Sequence, residues 1–212
     1  MIIAGILMFL YVLPFLYIWA SFGESENQNK LDLMKKSVTF SIFKFQKIYT
    51  MNSALASLVL TKDYYTVIGY YKELEKLDAV DEGNTYLAVY SYIQTGEYDN
   101  ALKYSQLFGN KGQQAQIYIK MKDFKKAKIL VNEMLNQTPV KPKVYRYKAE
   151  IEMGENKWKE ANLSIDKALK YSPNSMEALQ DKVRISKHLG YKEEYKKNLN
   201  KLKLLELKRG NI

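Results

Sequence analysis

Few residues of this chain are placed for chemistry. Its one histidine, His188, stands in SKHLG, just ahead of a glycine expected to end a helix. An imidazole there interacts favourably with the helix dipole, and no nearby spacing supplies metal-binding or catalytic partners. There is no cysteine, which excludes disulfides, thiolate metal sites and thiol nucleophiles. Gly109, Gly112 and Gly154 stand singly at expected turns, and no glycine-rich phosphate loop is present. Acid pairs such as Glu73/Glu75 and Glu193/Glu194 belong to charged helix faces, where neighbouring side chains diverge instead of forming a dyad. No catalytic residue, metal or cofactor is expected, and the chain reads as a non-enzyme.

The elements behind these residues follow a repeat. A large aromatic followed three residues later by a small or β-branched residue recurs at Tyr64/Val67, Tyr98/Ala101, Phe124/Ala127 and Trp158/Ala161. The first two pairs are 34 residues apart, as are the last two, and the middle interval is 26. A shift of 34 also superposes Leu55 on Val89, Leu58 on Tyr92, Ala115 on Ala149, Val131 on Ile165, Met134 on Ala168 and Pro139 on Pro173. Such self-similarity marks stacked helical hairpins. Small residues let helix backbones approach, the aromatic fills the angle between helices, and proline stops the second helix.

The segments LAVYSYIQTGEYDNAL, IYIKMKDFKKAKILVNEML and WKEANLSIDKALKYSPNS carry a resemblance to the tetratricopeptide repeat family over roughly residues 48–207. The resemblance implies an all-α, right-handed α-solenoid over 49–207, with units at about 49–80, 82–109, 110–139, 142–173 and a degenerate 175–207. The second unit is eight residues short, so its second helix, about Asp99 to Phe108, or its loop must be trimmed. Glu152 stands where the family keeps a large apolar residue. Beyond Pro173 the pattern decays, although Gly190, Tyr191, Tyr195, Leu199 and Leu202 keep an apolar stripe.

The formal charge is +10, from 33 basic and 23 acidic residues, and only Arg146, Arg184 and Arg209 are arginine. Lysines spread over every outward face describe a solvated surface, whereas base readout and phosphate clamping lean on arginine. Nucleic acid is not expected as a partner.

Residues 1–22 contain no charged side chain. Twenty-odd helical residues span ~30 Å, a bilayer core. Residues 1–23 are therefore expected to be a transmembrane anchor of a single-pass membrane protein. The competing reading is a cleaved signal peptide, which lacks its positively charged start and has too long an apolar run. Lys30, Lys35 and Lys36 after the segment lean the repeats slightly towards the cytoplasmic face. Residues 24–48 read as an amphipathic linker or capping helix with its stripe at Leu31, Met34, Val38, Ile42, Phe45 and Ile48, lying either on lipid or over the first repeat.

In repeats of the resembled kind, the first helix of each hairpin lines a concave groove. That places Tyr86, Tyr90, Ile93, Gln116, Ile119, Arg146, Glu150 and Met153 on the face where a protein or peptide partner would bind; tyrosine and arginine bring large contact area at modest entropy cost. Chaperone-binding members of that family grip a terminal carboxylate. Asn52, Lys143 and Arg146 match part of such a set, but Ala56 and Leu87 stand where it needs asparagine, so that activity does not carry over. The expected function is a membrane-anchored interaction scaffold that holds a partner in or beside a membrane or envelope assembly. The alternatives are an exported soluble adaptor and an architectural accessory subunit of a membrane complex.

Overall fold

A computed structural model describes residues 2–24, 27–137 and 142–210. Among the described residues the chain is all-helical: α1 Ile2–Phe22, α2 Asn27–Thr39, α3 Lys44–Leu60, α4 Tyr64–Lys76, α5 Glu82–Thr95, α6 Tyr98–Leu107, α7 Lys111–Lys120, α8 Phe124–Leu135, α9 Pro142–Gly154, α10 Trp158–Tyr171, α11 Met176–Leu189 and α12 Lys192–Gly210. The chain divides into two compact units, residues 1–109 and 110–212. Pro139, expected to stop the second helix of its hairpin, lies outside the described residues.

Hairpins in both units are closed by one backbone turn. Lys62, Gly96, Lys122, Asn156 and Gly190 each adopt a left-handed conformation, with φ of 63°, 82°, 61°, 61° and 73°. The following residue then donates its N–H five residues back: Asp63 to Leu58, Glu97 to Tyr92, Asp123 to Tyr118, Lys157 to Glu152 and Tyr191 to Ser186, at 2.7 to 2.9 Å. This bond satisfies a helix-end carbonyl and folds the second helix back. The left-handed residues recur at 34, 26, 34 and 34. The backbone repeat therefore runs through α11–α12, where the side-chain pattern decays.

In the first unit, α3 packs on α4 and α5, and α5 on α6. Leu55, Leu58, Val67, Tyr71, Leu74, Val89, Tyr92 and Ala101 are all buried between them. Each large apolar side chain among them contributes roughly 1.5–3 kcal/mol of transfer free energy. Helix α6 is ten residues long against thirteen for α4. The short interval thus loses length in three places: from α6, from the turn at Phe108–Asn110, and from α7, which is ten residues against fourteen for α5.

The second unit repeats the scheme, with α9 touching α7, α8, α10 and α11. Ala115, Ala127, Ala149 and Ala161 are completely buried, so backbones meet closely there. At Gly154 the approach is closest. A Cβ at that position would stand 2.1 Å from Cζ of Phe124, so the aromatic of one hairpin seats on the bare backbone of the next. Glu152 is accommodated by a 2.6 Å hydrogen bond from the Ser164 hydroxyl, and Lys148 approaches it at 3.8 Å.

The amino-terminal region departs from expectation in two ways. The amphipathic stretch is two helices, because the chain breaks between Thr39 and Lys44. The Ser41 hydroxyl donates to the Ser37 carbonyl at 2.7 Å, and Gln46 Oε1 accepts from the Ile42 and Phe43 N–H groups, ending one helix and starting the next. Leu31 and Met34 of α2 are buried, while Ile42 and Phe45 are exposed. Second, among the described residues no helix is long and apolar enough to cross a membrane. That overturns the single-pass membrane localisation, with its transmembrane helix at 1–23 and its lean to the cytoplasmic face. The described part of α1 is engaged with protein. Ile18 and Ser21 are buried, and Gln46 Nε2 donates to the Tyr11 carbonyl at 2.5 Å. Rings of Tyr11 and Phe15 pack on those of Phe43, Phe45 and Tyr49.

Candidate functional site

The candidate binding residues fall on the first helices of three hairpins, and at each they hold the same places. Tyr86 and Arg146 are register equivalents, as are Tyr90, Gln116 and Glu150, and then Ile93, Ile119 and Met153. Tyr86, Tyr90 and Ile93 lie in the first unit and the other five in the second. Ile93, Ile119 and Met153 are buried, since each precedes by one turn the bend where the second helix folds back. Gln116 is half-buried.

In the first unit, α3 and α5 border an open cleft of about 670 Å³. Leu55 and Leu87 give it an apolar wall, and Asn52, Asp81 and Glu82 line its polar side. Tyr86 stands on its edge, 41 % exposed. Tyr90 is half-buried, its ring edge-on to Tyr64 at 6.1 Å. The start of α5 is fixed by a reciprocal cap. Asp81 accepts the Asn84 N–H at 2.8 Å, and Asn84 Oδ1 accepts the Asp81 N–H at 2.9 Å. Asn84 Nδ2 reaches Asn52 Oδ1 at 3.4 Å, tying α5 to α3 beneath the cleft.

The matching face of the second unit, between α9 and α11, is filled by ions. The Arg146 guanidinium pairs with Glu150 one turn along α9, and its Nη1 lies 3.6 Å from Asp181 Oδ2 on α11. Asp181 Oδ1 accepts from Arg184 at 3.1 Å, and the same nitrogen reaches the Met153 sulfur at 3.3 Å. Burial, with Glu150 beside it, pushes the Asp181 carboxyl up to about 6, against the opposing pull of Arg146 and Arg184. A backbone N–H holds Glu177 below the usual carboxylate range; burial opposes this and Ser175 adds to it. Desolvation, with Arg146 nearby, lowers the Lys143 ammonium.

Sequence reasoning places Arg146 and Glu150 on this face but misses Asp181 and Arg184. For Arg184 the available signal is the register itself, because a shift of 34 sets it on Glu150; Asp181 falls on Tyr147 and gives no such signal. A second buried ion cluster is missed as well. Lys182 is 2 % exposed and is held by Asp166 at 2.7 Å, Glu194 at 2.8 Å and Asn162 at 2.8 Å, pinning α11 to α10 and α12. Among the described residues no His, Asp and Glu side chains gather as a metal site. His188 stacks on Trp158 with centroids 3.8 Å apart.

Comparison with known proteins adds to this geometry. The family model described as Coatomer epsilon subunit matches residues 124–209. No curated protein matches the sequence. Among solved structures, a tetratricopeptide repeat protein from Parabacteroides merdae is 11 % identical with a TM-score of 0.65, over 89 % of this chain and 78 % of that one. MamA from Desulfovibrio magneticus, from residue 41 to its end, is 16 % identical with a TM-score of 0.50, over 77 % of this chain and 96 % of that one. At these identities the likeness is one of fold: the chain is built of stacked helical hairpins of tetratricopeptide type.

Proposed function

We propose that this chain is a non-enzymatic scaffold that holds a protein partner on the first-helix face of its hairpins. The observation that carries this reading is the open cleft between α3 and α5, with the half-exposed Tyr86 on its edge and apolar Leu55 and Leu87 within. Clefts bordered by an aromatic anchor and a few fixed polar groups are where extended or helical segments dock. The match of a coatomer subunit model to 124–209 fits a role within an assembly.

The test replaces Tyr86 by the photo-crosslinker p-benzoyl-phenylalanine and, separately, Tyr65, which is 75 % exposed on α4. A partner captured from cells is expected to crosslink through position 86 and not through 65, and Tyr86→Ala is expected to reduce its recovery at unchanged helicity. Crosslinking through 65 alone would move the binding face to the second helices and refute the proposal.

A further inference from the structure

The cleft of the first unit has a chemistry that selects among partners, a selection that rests on the scaffold role proposed for this face. Its lining carries two carboxylates, Asp81 and Glu82, and no basic side chain, in a chain whose net charge is +10. Among the described residues neither carboxylate is ion-paired. Asp81 directs one oxygen to the Asn84 N–H, and Glu82 is exposed in the first turn of α5. A helix start ordinarily welcomes anions. Here that preference is already met by the Asp81 cap and by Glu82, so an anionic ligand would face two carboxylates.

We infer that the cleft between α3 and α5 accepts a lysine or arginine side chain of the partner protein, its stem along Leu87 and the Tyr86 ring and its charged head at Glu82 and Asp81. Long basic side chains bury an apolar stem while the head stays at a polar edge, and a cation gains further from an aromatic face. A volume of about 670 Å³ holds such a side chain together with flanking backbone. Asn52 is exposed at the wall; its amide oxygen accepts from Asn84, which leaves the amide nitrogen to donate to a peptide carbonyl. At physiological salt the screening length is ~8 Å, which weakens the reach of the positive charges elsewhere on the surface.

The test titrates the full chain, labelled with nitrogen-15, with peptides acetyl-Ala-Leu-Xaa-Leu-Ala-amide in which the central residue is lysine, arginine, norleucine or glutamate. The lysine and arginine peptides are expected to shift the amides of residues 82–87, norleucine to bind about five- to tenfold more weakly, and glutamate not to bind. Glu82→Gln is expected to bring lysine part of the way down towards the norleucine level, because Asp81 remains, and Tyr86→Ala to weaken both. Raising the salt should weaken the lysine peptide and leave norleucine unchanged. Equal binding of norleucine or glutamate would overturn the charge selection and leave the scaffold reading standing. No shift with any of the four would overturn this inference and the cleft as a docking face together.

Discussion

The α3–α5 face and the α9–α11 face occupy the same place in their hairpins and hold opposite chemistry. In the first, Asn52 and Tyr86 stand at the position that Arg146 takes in the second. The tyrosine leaves an open cleft, whereas the arginine is drawn into a chain of charges through Glu150 and Asp181. A stacked-hairpin fold fixes its core through small and aromatic residues on the packed faces. The remaining face is free to be either a surface for a partner or an internal clasp, and two or three side chains decide which.

The contrast is sharpest in paired truncations at that one register position. Arg146→Ala would leave the buried Glu150 without its cation and Asp181 with Arg184 alone, a loss of about 3 kcal/mol. Tyr86→Ala, at the equivalent site on an open cleft, should cost less than about 1 kcal/mol. Urea unfolding followed by circular dichroism measures both. Equal losses would show that the two faces do not differ in kind.

Asp181→Asn tests the clasp from its acidic side. The carboxyl of Asp181 is raised from 3.8 to about 6, so the folded chain holds its proton more tightly than the unfolded one. Stability from this group is therefore greatest below about pH 4 and is lost as pH rises towards 6; above that the buried charge disfavours the fold by roughly 2–3 kcal/mol. The neutral amide should stabilise the protein at pH 7.5 by up to that amount, make little difference at pH 4, and flatten the profile between. Melting temperatures of both proteins across that range decide the matter. A variant less stable than the parent at pH 7.5 would mean that the ion pairs outweigh burial.

The two faces were not equally legible in the sequence. Aromatic–small pairs spaced by 34 carried the all-helical hairpin fold, because a small residue recurs at Ala101, Ala127 and Ala161 where backbones touch, and each is fully buried. Asp181 could not be read. It lies 35 residues beyond Arg146, in a stretch whose side-chain pattern fades, and an isolated carboxylate on a charged helix signals only a solvated face. The break at residues 40–43 was hidden for another reason: Phe40, Ile42 and Phe43 continue an apolar pattern although their exposure runs from 40 to 53 %. Periodicity reports spacing and cannot say which apolar residues find a neighbour.

Gly154→Ala asks whether α9 is held by close packing as well as by its charges. By propensity alone alanine would favour the helix by about 1 kcal/mol. The Phe124 ring, 2.1 Å from where the new carbon would stand, reverses the sign, and a net loss of about 1–3 kcal/mol is expected. Pairing it with Phe124→Leu should recover part of that loss, which a double-mutant cycle would read as coupling.

The smallest effect concerns the turns that both units share. Lys62, in the first, and Lys122, in the second, take the left-handed conformation that Gly96 takes between α5 and α6. A side chain there costs roughly 1–2 kcal/mol, while glycine brings back about 0.5–1 kcal/mol through the greater freedom of the unfolded chain. Lys62→Gly and Lys122→Gly should therefore each stabilise by about 0.5 kcal/mol, and Gly96→Ala should destabilise by about as much. The five turns donate the same backbone bond at nearly the same length, so the gain should be alike in both units even though their first-helix faces differ. A gain at Lys62 with a loss at Lys122 would mean that the Lys122 side chain makes a compensating contact, and the units would then differ in their framework as well as in the faces it presents.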